Sequence, residues 1–210
     1  MAKGYWIAHV DVSDPEAYQL YRAANAEPLH KYGARFLVRA GDFTQVEGAS
    51  RSRHVVLEFV DYGTALACYR SSEYQKAAAL RRRAAETDLV VIAGYEGPQP
   101  APIAQEAART AAKSFWVGHV DVSEPEGYEA SITAGLPVIA RYGGQFLVRG
   151  GAFERVEGAA RSRTILLGFP SYAAALECYD SPDHQAAAAL RNGKAELDLT
   201  VCEGYDGAQP

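Results

Sequence analysis

The chain repeats itself at an interval of 110 residues. Trp6, His9, Asp11, Pro15 and Tyr18 return as Trp116, His119, Asp121, Pro125 and Tyr128, and the register holds without a gap to Gly97 and Gly207, with about half of the aligned residues identical. Solenoid repeats have periods of roughly 20 to 50 residues, so a unit this long is a domain used twice. Two such copies can build inside one chain the interface that a homodimer builds between two. The expected division is a first domain over 1–97, a linker over 98–113 and a second domain over 114–210. A domain of about 100 residues buries only roughly 60 to 68% of its unfolded surface, so each copy gains from pairing with its twin.

Composition narrows the partners. A net charge of −5 with 22% charged residues leaves neither half a basic stripe for phosphates, which argues against nucleic acid. No apolar run approaches the roughly 18 residues of a membrane span, and the N-terminus lacks a signal-peptide core, so no membrane partner and a cytoplasmic location are expected. Cys68, Cys178 and Cys202 are an odd set without Cys-x-x-Cys spacing, and read as buried small hydrophobes.

Within each copy the pattern alternates between period two and helical stretches. Over residues 5–12, Trp6, Ala8, Val10 and Val12 are apolar while Tyr5, Ile7, His9 and Asp11 are mixed, the signature of a strand with one face in a core. Ser13 as N-cap and Pro15 in the first turn start a helix running to about Lys31, where Tyr32-Gly33 stops it. Strands are expected over 35–39, 43–47 and 53–59, the last with Val55, Leu57 and Phe59 on one face. Helices follow over 62–69 and 76–85, then a strand over 89–95. This β-α-β-(β)-β-α-β order is an α+β, ferredoxin-like arrangement with helices on one face of an antiparallel sheet. The bare faces of the two sheets are expected to meet. Pro98 to Pro102 breaks regular structure and 104–113 is helix-prone; at ~3.3 Å per residue the segment is long enough to let the halves pack face to face.

The strings Lys-Gly-Tyr-Trp-Ile-Ala-His-Val-Asp-Val (3–12), Asp-Pro-Glu-Ala-Tyr-Gln-Leu-Tyr (14–21), Tyr-Gly-Ala-Arg-Phe-Leu-Val-Arg-Ala-Gly (32–41), Ser-Ser-Glu-Tyr-Gln (71–75) and Gly-Tyr-Glu-Gly-Pro-Gln-Pro (94–100) resemble the "domain of unknown function 1330" family over nearly all of both copies. The resemblance implies a dimeric α/β barrel, formed here as an intramolecular pseudo-dimer of ferredoxin-like units. It also implies a superfamily of cofactor-free monooxygenases, lactone isomerases, haem-dependent enzymes and small-molecule sensors, so the chemistry stays open.

Candidate site residues come from the mixed face. His9 and Asp11 lie two apart on one strand, and His119 and Asp121 repeat them, a pattern suited to a general base oriented by a carboxylate. His54 and Glu58 share a face of the strand expected beside the first. Convergence of His9, Asp11, His54 and Glu58 would permit a metal site in the first copy only, since Thr164 and Gly168 stand in the second; neither a metal nor a cofactor is expected. Arg39 and Arg149 end equivalent strands and could clamp a carboxylate. Arg51, Arg53, Arg161 and Arg163 read instead as hairpin salt-bridge formers, with Glu47 and Glu157 at hand. Tyr18, Tyr21 and Asn25 share a helical face that can offer hydroxyls to a substrate. In the second copy Tyr21, Arg22, Asn25, Glu27 and His30 become Ser131, Ile132, Gly135, Pro137 and Ala140, and Tyr74 becomes His184. The loss of polar groups, with a helix-breaking proline, places the working pocket in the first copy.

The reading that results is a small-molecule enzyme acting by proton transfer, of isomerase, lyase or cyclase type, on an organic acid or phenol. His9 is the base, Asp11 its orienter, Tyr21 a hydroxyl donor and Arg39 the anion clamp. The alternatives are a cofactor-free monooxygenase on a phenolic or polyketide-like substrate, and a non-catalytic ligand-binding or stress-related protein. Glycine-rich phosphate loops and nucleophile elbows are absent from the sequence. Further association of two tandem chains is compatible with this design.

Overall fold

The computed structural model describes residues 2–100 and 112–210. The first copy contains β1 (Gly4–Val12), α1 (Pro15–Ala24), α2 (Ala26–Lys31), β2 (Arg35–Arg39), β3 (Phe43–Glu47), β4 (Arg53–Phe59), α3 (Tyr62–Arg70), α4 (Ser72–Arg81) and β5 (Ala85–Ala93). The second contains β6 (Ser114–Val122), α5 (Pro125–Arg141), β7 (Gln145–Arg149), β8 (Phe153–Glu157), β9 (Arg163–Phe169), α6 (Tyr172–Asp180), α7 (Pro182–Ala189) and β10 (Ala195–Glu203). The helix-prone stretch expected over 104–113 lies almost wholly outside the described residues. Among those described, no helix is long and apolar enough to cross a membrane.

Two five-stranded antiparallel sheets result, ordered β2-β4-β1-β5-β8 and β3-β10-β6-β9-β7. Each sheet therefore contains one strand of the other copy. β3 leaves the first copy to pair with β10, and β8 returns the exchange by pairing with β5. The tails continue the embrace: the Tyr205 amide donates to the Leu37 carbonyl and the Tyr95 amide to that of Leu147, each on the opposite copy's edge strand.

The alternation in β1 sorts its side chains as expected. Trp6 and Ala8 lie under the helices with Leu57, Phe59 and Tyr74, and the Trp6 indole donates to the Ala65 carbonyl. Tyr5 and Ile7 face inward and pack with Val56, Val90, Phe115, Val117 and Leu166 between the two sheets. Burial pushes the thiols of Cys68, Cys178 and Cys202 up to about 12, which keeps them protonated and unreactive.

Local differences from expectation have physical causes. Asp14, not Ser13, caps α1 by accepting from the Ala17 amide, while the Ser13 hydroxyl donates to the Ala84 carbonyl. The helix expected over 15–31 is interrupted at Asn25 in the first copy. Its counterpart α5 runs unbroken through Pro137, correcting the expectation of a break. Pro137 is exposed, so water can satisfy the carbonyl that the missing amide leaves free. The last strand begins at Ala85, because the preceding helix stops at Arg81.

Candidate functional site

Two recesses matter, one at the mouth of the barrel and one under the helices of the second copy. The mouth recess, about 310 Å3, is lined by Ile7, His9, Ser50, Arg51, Asp88, His119, Arg161 and Asp198, among others. Strand pairing sets His9 directly opposite His54, while His119 reaches in from the other sheet. A row of three imidazoles forms. His9 Nδ1 lies 2.7 Å from His54 Nδ1, and His9 Nε2 lies 2.8 Å from His119 Nε2. The Ser50 hydroxyl is 3.1 Å from His9 Nδ1, and Thr164 Oγ1 is 3.2 Å from His119 Nδ1. Burial holds all three histidines below their ordinary range, His54 and His119 at about 4. A neutral imidazole has one donor and one acceptor, so His9 donates to one neighbour and accepts from the other.

Asp11 does not orient His9. It accepts from the Ser52 amide and hydroxyl, both at 2.8 Å, and pairs with Arg51 at 3.1 Å. Asp121 likewise accepts from the Ser162 amide at 2.7 Å and pairs with Arg161 at 3.2 Å, while the Ser162 hydroxyl donates to the Val120 carbonyl. Glu58 takes the Tyr5 hydroxyl at 3.0 Å, so the four residues considered for a metal do not converge. Among the described residues, no group of three or more His, Cys, Asp or Glu is placed to hold a metal ion.

The arginine network also differs from expectation. Arg51 binds Asp11, Glu86 and Asp88, and Arg161 binds Asp121, Glu196 and Asp198. Asp88 accepts in addition from the Ala159 amide of the other copy, and Asp198 from that of Ala49. Gly48 and Gly158 precede these amides at φ +62° and +65°, where a Cβ would strike Asp198 or Asp88. Glu47 and Glu157 serve elsewhere: the exchanged strands carry them to Arg191 and Arg81 of the opposite copy.

Under the helices the copies part company. The first copy has only about 30 Å3 of space between its helices and sheet, the second about 430 Å3. In the first, Tyr21 and Tyr74 fill the gap, their hydroxyls 3.3 Å apart, with Arg81 over the Tyr21 ring. In the second, Ser131 and His184 stand at those positions and Gly135 replaces Asn25; a Cβ built at Gly135 meets nothing within 4 Å. The working pocket was expected in the first copy; the larger open volume lies in the second. Removing polar groups from that helix emptied volume.

The second-copy cleft has an apolar floor of Trp116, Ile165, Leu167 and Leu199, with Tyr128, Arg149, Arg163, His184 and Arg191 around it. His184 packs edge-on to Trp116 at 5.1 Å. Both its ring nitrogens are buried without a hydrogen-bond partner. Burial, then the nearby Arg191 cation, holds it below the ordinary histidine range against the opposing pull of Glu47, so it is neutral at neutral pH. Arg191 is fixed by two hydrogen bonds to Glu47.

Of the other predicted residues, Arg149 lines this cleft and stacks over Phe146. Arg39 is occupied by Phe36 and the Tyr205 hydroxyl. Tyr18 is buried beneath Arg53, and Asn25 is buried at the end of α1. Sequence reasoning missed Ser131, His184 and Arg163 as a group. The signal was the same list of differences between copies, read for volume lost instead of polarity lost.

The fold is shared with solved structures at low identity. An anthrone oxidase-like protein matches with a TM-score of 0.58 at 11% identity, over 97% of this chain and 91% of that one. A chlorite dismutase variant from Candidatus Nitrospira defluvii matches with a TM-score of 0.53 at 9% identity, over 96% and 91%. A search of curated proteins gives no match. The family assignment rests on sequence: one model matches residues 3–95 and again 113–205, so the chain belongs, twice over, to the family described as domain of unknown function DUF1330.

Proposed function

We propose that this protein is a small-molecule enzyme whose working site is the cleft of the second copy, with His184 as the group that takes and returns a proton. The observation that carries this reading is a neutral imidazole with both nitrogens unpartnered on the wall of an open cleft. Buried polar atoms are normally satisfied, and an unsatisfied titratable ring among the residues that line a cleft supports a functional role for it. The reaction class it supports is general acid-base proton transfer, of isomerase, lyase or cyclase type, on a substrate held against Trp116 and Leu167. Tyr128 and Ser131 supply hydroxyls beside it.

A second reading keeps the base at the barrel mouth, where His9 and His119 line a recess across the two copies. There His9 would act through its imidazole neighbours and without Asp11. Hydrogen-deuterium exchange at carbon, followed by NMR over a panel of keto acids, lactones and phenols, separates the readings. The cleft reading expects exchange that His184→Asn abolishes and His9→Asn leaves. The opposite pattern moves the site to the mouth. Dioxygen consumption with a phenol would replace proton transfer by oxygenation, and binding without any turnover would make the protein a receptor.

A further inference from the structure

We propose that the second-copy cleft takes one organic monoanion with an apolar body per chain, its charged group held by Arg149 and Arg163 and its far end meeting His184. This rests on the cleft being the working site and adds the class of molecule that fills it.

The first observation is how the arginines are employed. Arg51, Arg81, Arg161 and Arg191 each hold at least one carboxylate. Arg149 and Arg163 line the cleft instead, and among the described residues neither forms an ion pair. Their guanidinium groups lie over Phe146 at 4.9 Å and over Tyr128 at 5.7 Å. The register supplies the second. Arg149 sits opposite Ile165, so Arg163, two residues along the same strand and face, is its diagonal neighbour, typically within ~7–8 Å. Two forks at that spacing suit the two oxygens of one carboxylate or an equivalent oxyanion.

Charge sets the valence. Four charged residues line the cleft, namely Glu129, Arg149, Arg163 and Arg191. Glu47 neutralises Arg191. Counted against the two remaining arginines, Glu129 brings the net charge of the lining to one positive. The floor dictates the rest of the molecule, since Trp116, Ile165, Leu167 and Leu199 offer no polar partner. The first copy carries the same arginines as Arg39 and Arg53, but Tyr21 and Tyr74 occupy the space between helices and sheet. Anion-binding groups without a cleft make no site, so the stoichiometry is one per chain.

Titration calorimetry at low salt with sodium 1-naphthoate and its uncharged isostere naphthalene-1-carboxamide tests this. The full chain is compared with Arg149→Gln/Arg163→Gln and with Ser131→Tyr/His184→Tyr, which installs the first copy's own filling pair. The expected result is one naphthoate per chain, bound about ten-fold or more tighter than the carboxamide. That advantage should vanish in the glutamine variant, and both ligands should be lost in the tyrosine variant. Equal affinities in the wild type would overturn the anion class while leaving the cleft as the site. Naphthoate binding that survives the tyrosine variant, with its folding verified by circular dichroism, would overturn the site itself. Two naphthoates per chain, or none, would overturn the proposal outright.

Discussion

His9 has two ring nitrogens and meets a histidine at each. With the N–H groups running from His54 through His9 to His119 and on to Thr164, each finds a lone pair, whereas a second proton on His9 sets donor against donor and one on His54 falls on Nε2, which is buried without an acceptor. The folded-state values lie below the ordinary histidine value, with His54 and His119 at about 4. In the unfolded chain these side chains titrate near 6.5. Between those limits the unfolded state binds more protons, so stability is fully present above about pH 6.5 and is lost as pH falls toward 4. Each histidine contributes up to about 1.4 kcal/mol per pH unit in that window. His54→Thr, which copies Thr164 of the second domain, should leave His9 bonded to Ser50 and make this loss less steep by roughly a third. Urea midpoints between pH 7 and pH 4.5 measure it, and an unchanged slope would show that His54 is not part of the linked set.

At the scale of elements, the exchanged strands are fastened by charge as well as by backbone. Arg81, at the end of α4, is 2% exposed and holds Glu157 of β8 at 2.6 Å. Tyr69 donates to the same carboxylate at 2.9 Å. Removing one partner of a buried pair leaves the other charge desolvated, so Glu157→Ala should destabilise by about 3 to 5 kcal/mol in urea unfolding. Glu154→Ala, three residues earlier on the same strand and paired among the described residues with the exposed Arg70, should change little. The strands themselves were legible: alternation in 5–12 and 53–59 placed Trp6 and Leu57 under helices and His9 between sheets. Their sheet membership was not, because hairpin proximity assigned Glu47 to Arg51, whereas its partner Arg191 is 144 residues away. Period-two patterning encodes which face a residue takes and carries no record of which neighbouring strand it pairs with. Nor does it encode empty space. Tyr21 and Tyr74 were readable as a polar face, but that they jointly fill a gap which Ser131 and His184 leave open depends on packing between two helices far apart in sequence.

The duplication gives the whole molecule two unlike halves: the same fold appears once filled and once open, so the fold does not impose the cleft. Large-to-small changes in a core ordinarily destabilise, and the first copy demonstrates that tyrosines fit there. Excising each copy converts this asymmetry into a measurement. Alone, residues 1–100 would have no β8 beside β5, no Glu157 for Arg81 and no sheet for β3 to join. A second identical molecule supplies all three, since Glu47 and β3 are the equivalents of Glu157 and β8. Residues 1–100 and residues 112–210 should therefore each form a strand-exchanged homodimer, with twice the monomer mass in light scattering and no folded monomer on dilution. The two dimers should differ in function. The first would carry the tyrosine filling on both sides and bind no naphthoate, while the second would carry two clefts and bind two per dimer. A ligand-binding dimer of residues 1–100 would show that Tyr21 and Tyr74 yield to a ligand, and the asymmetry between the copies would then have no bearing on where the chemistry takes place.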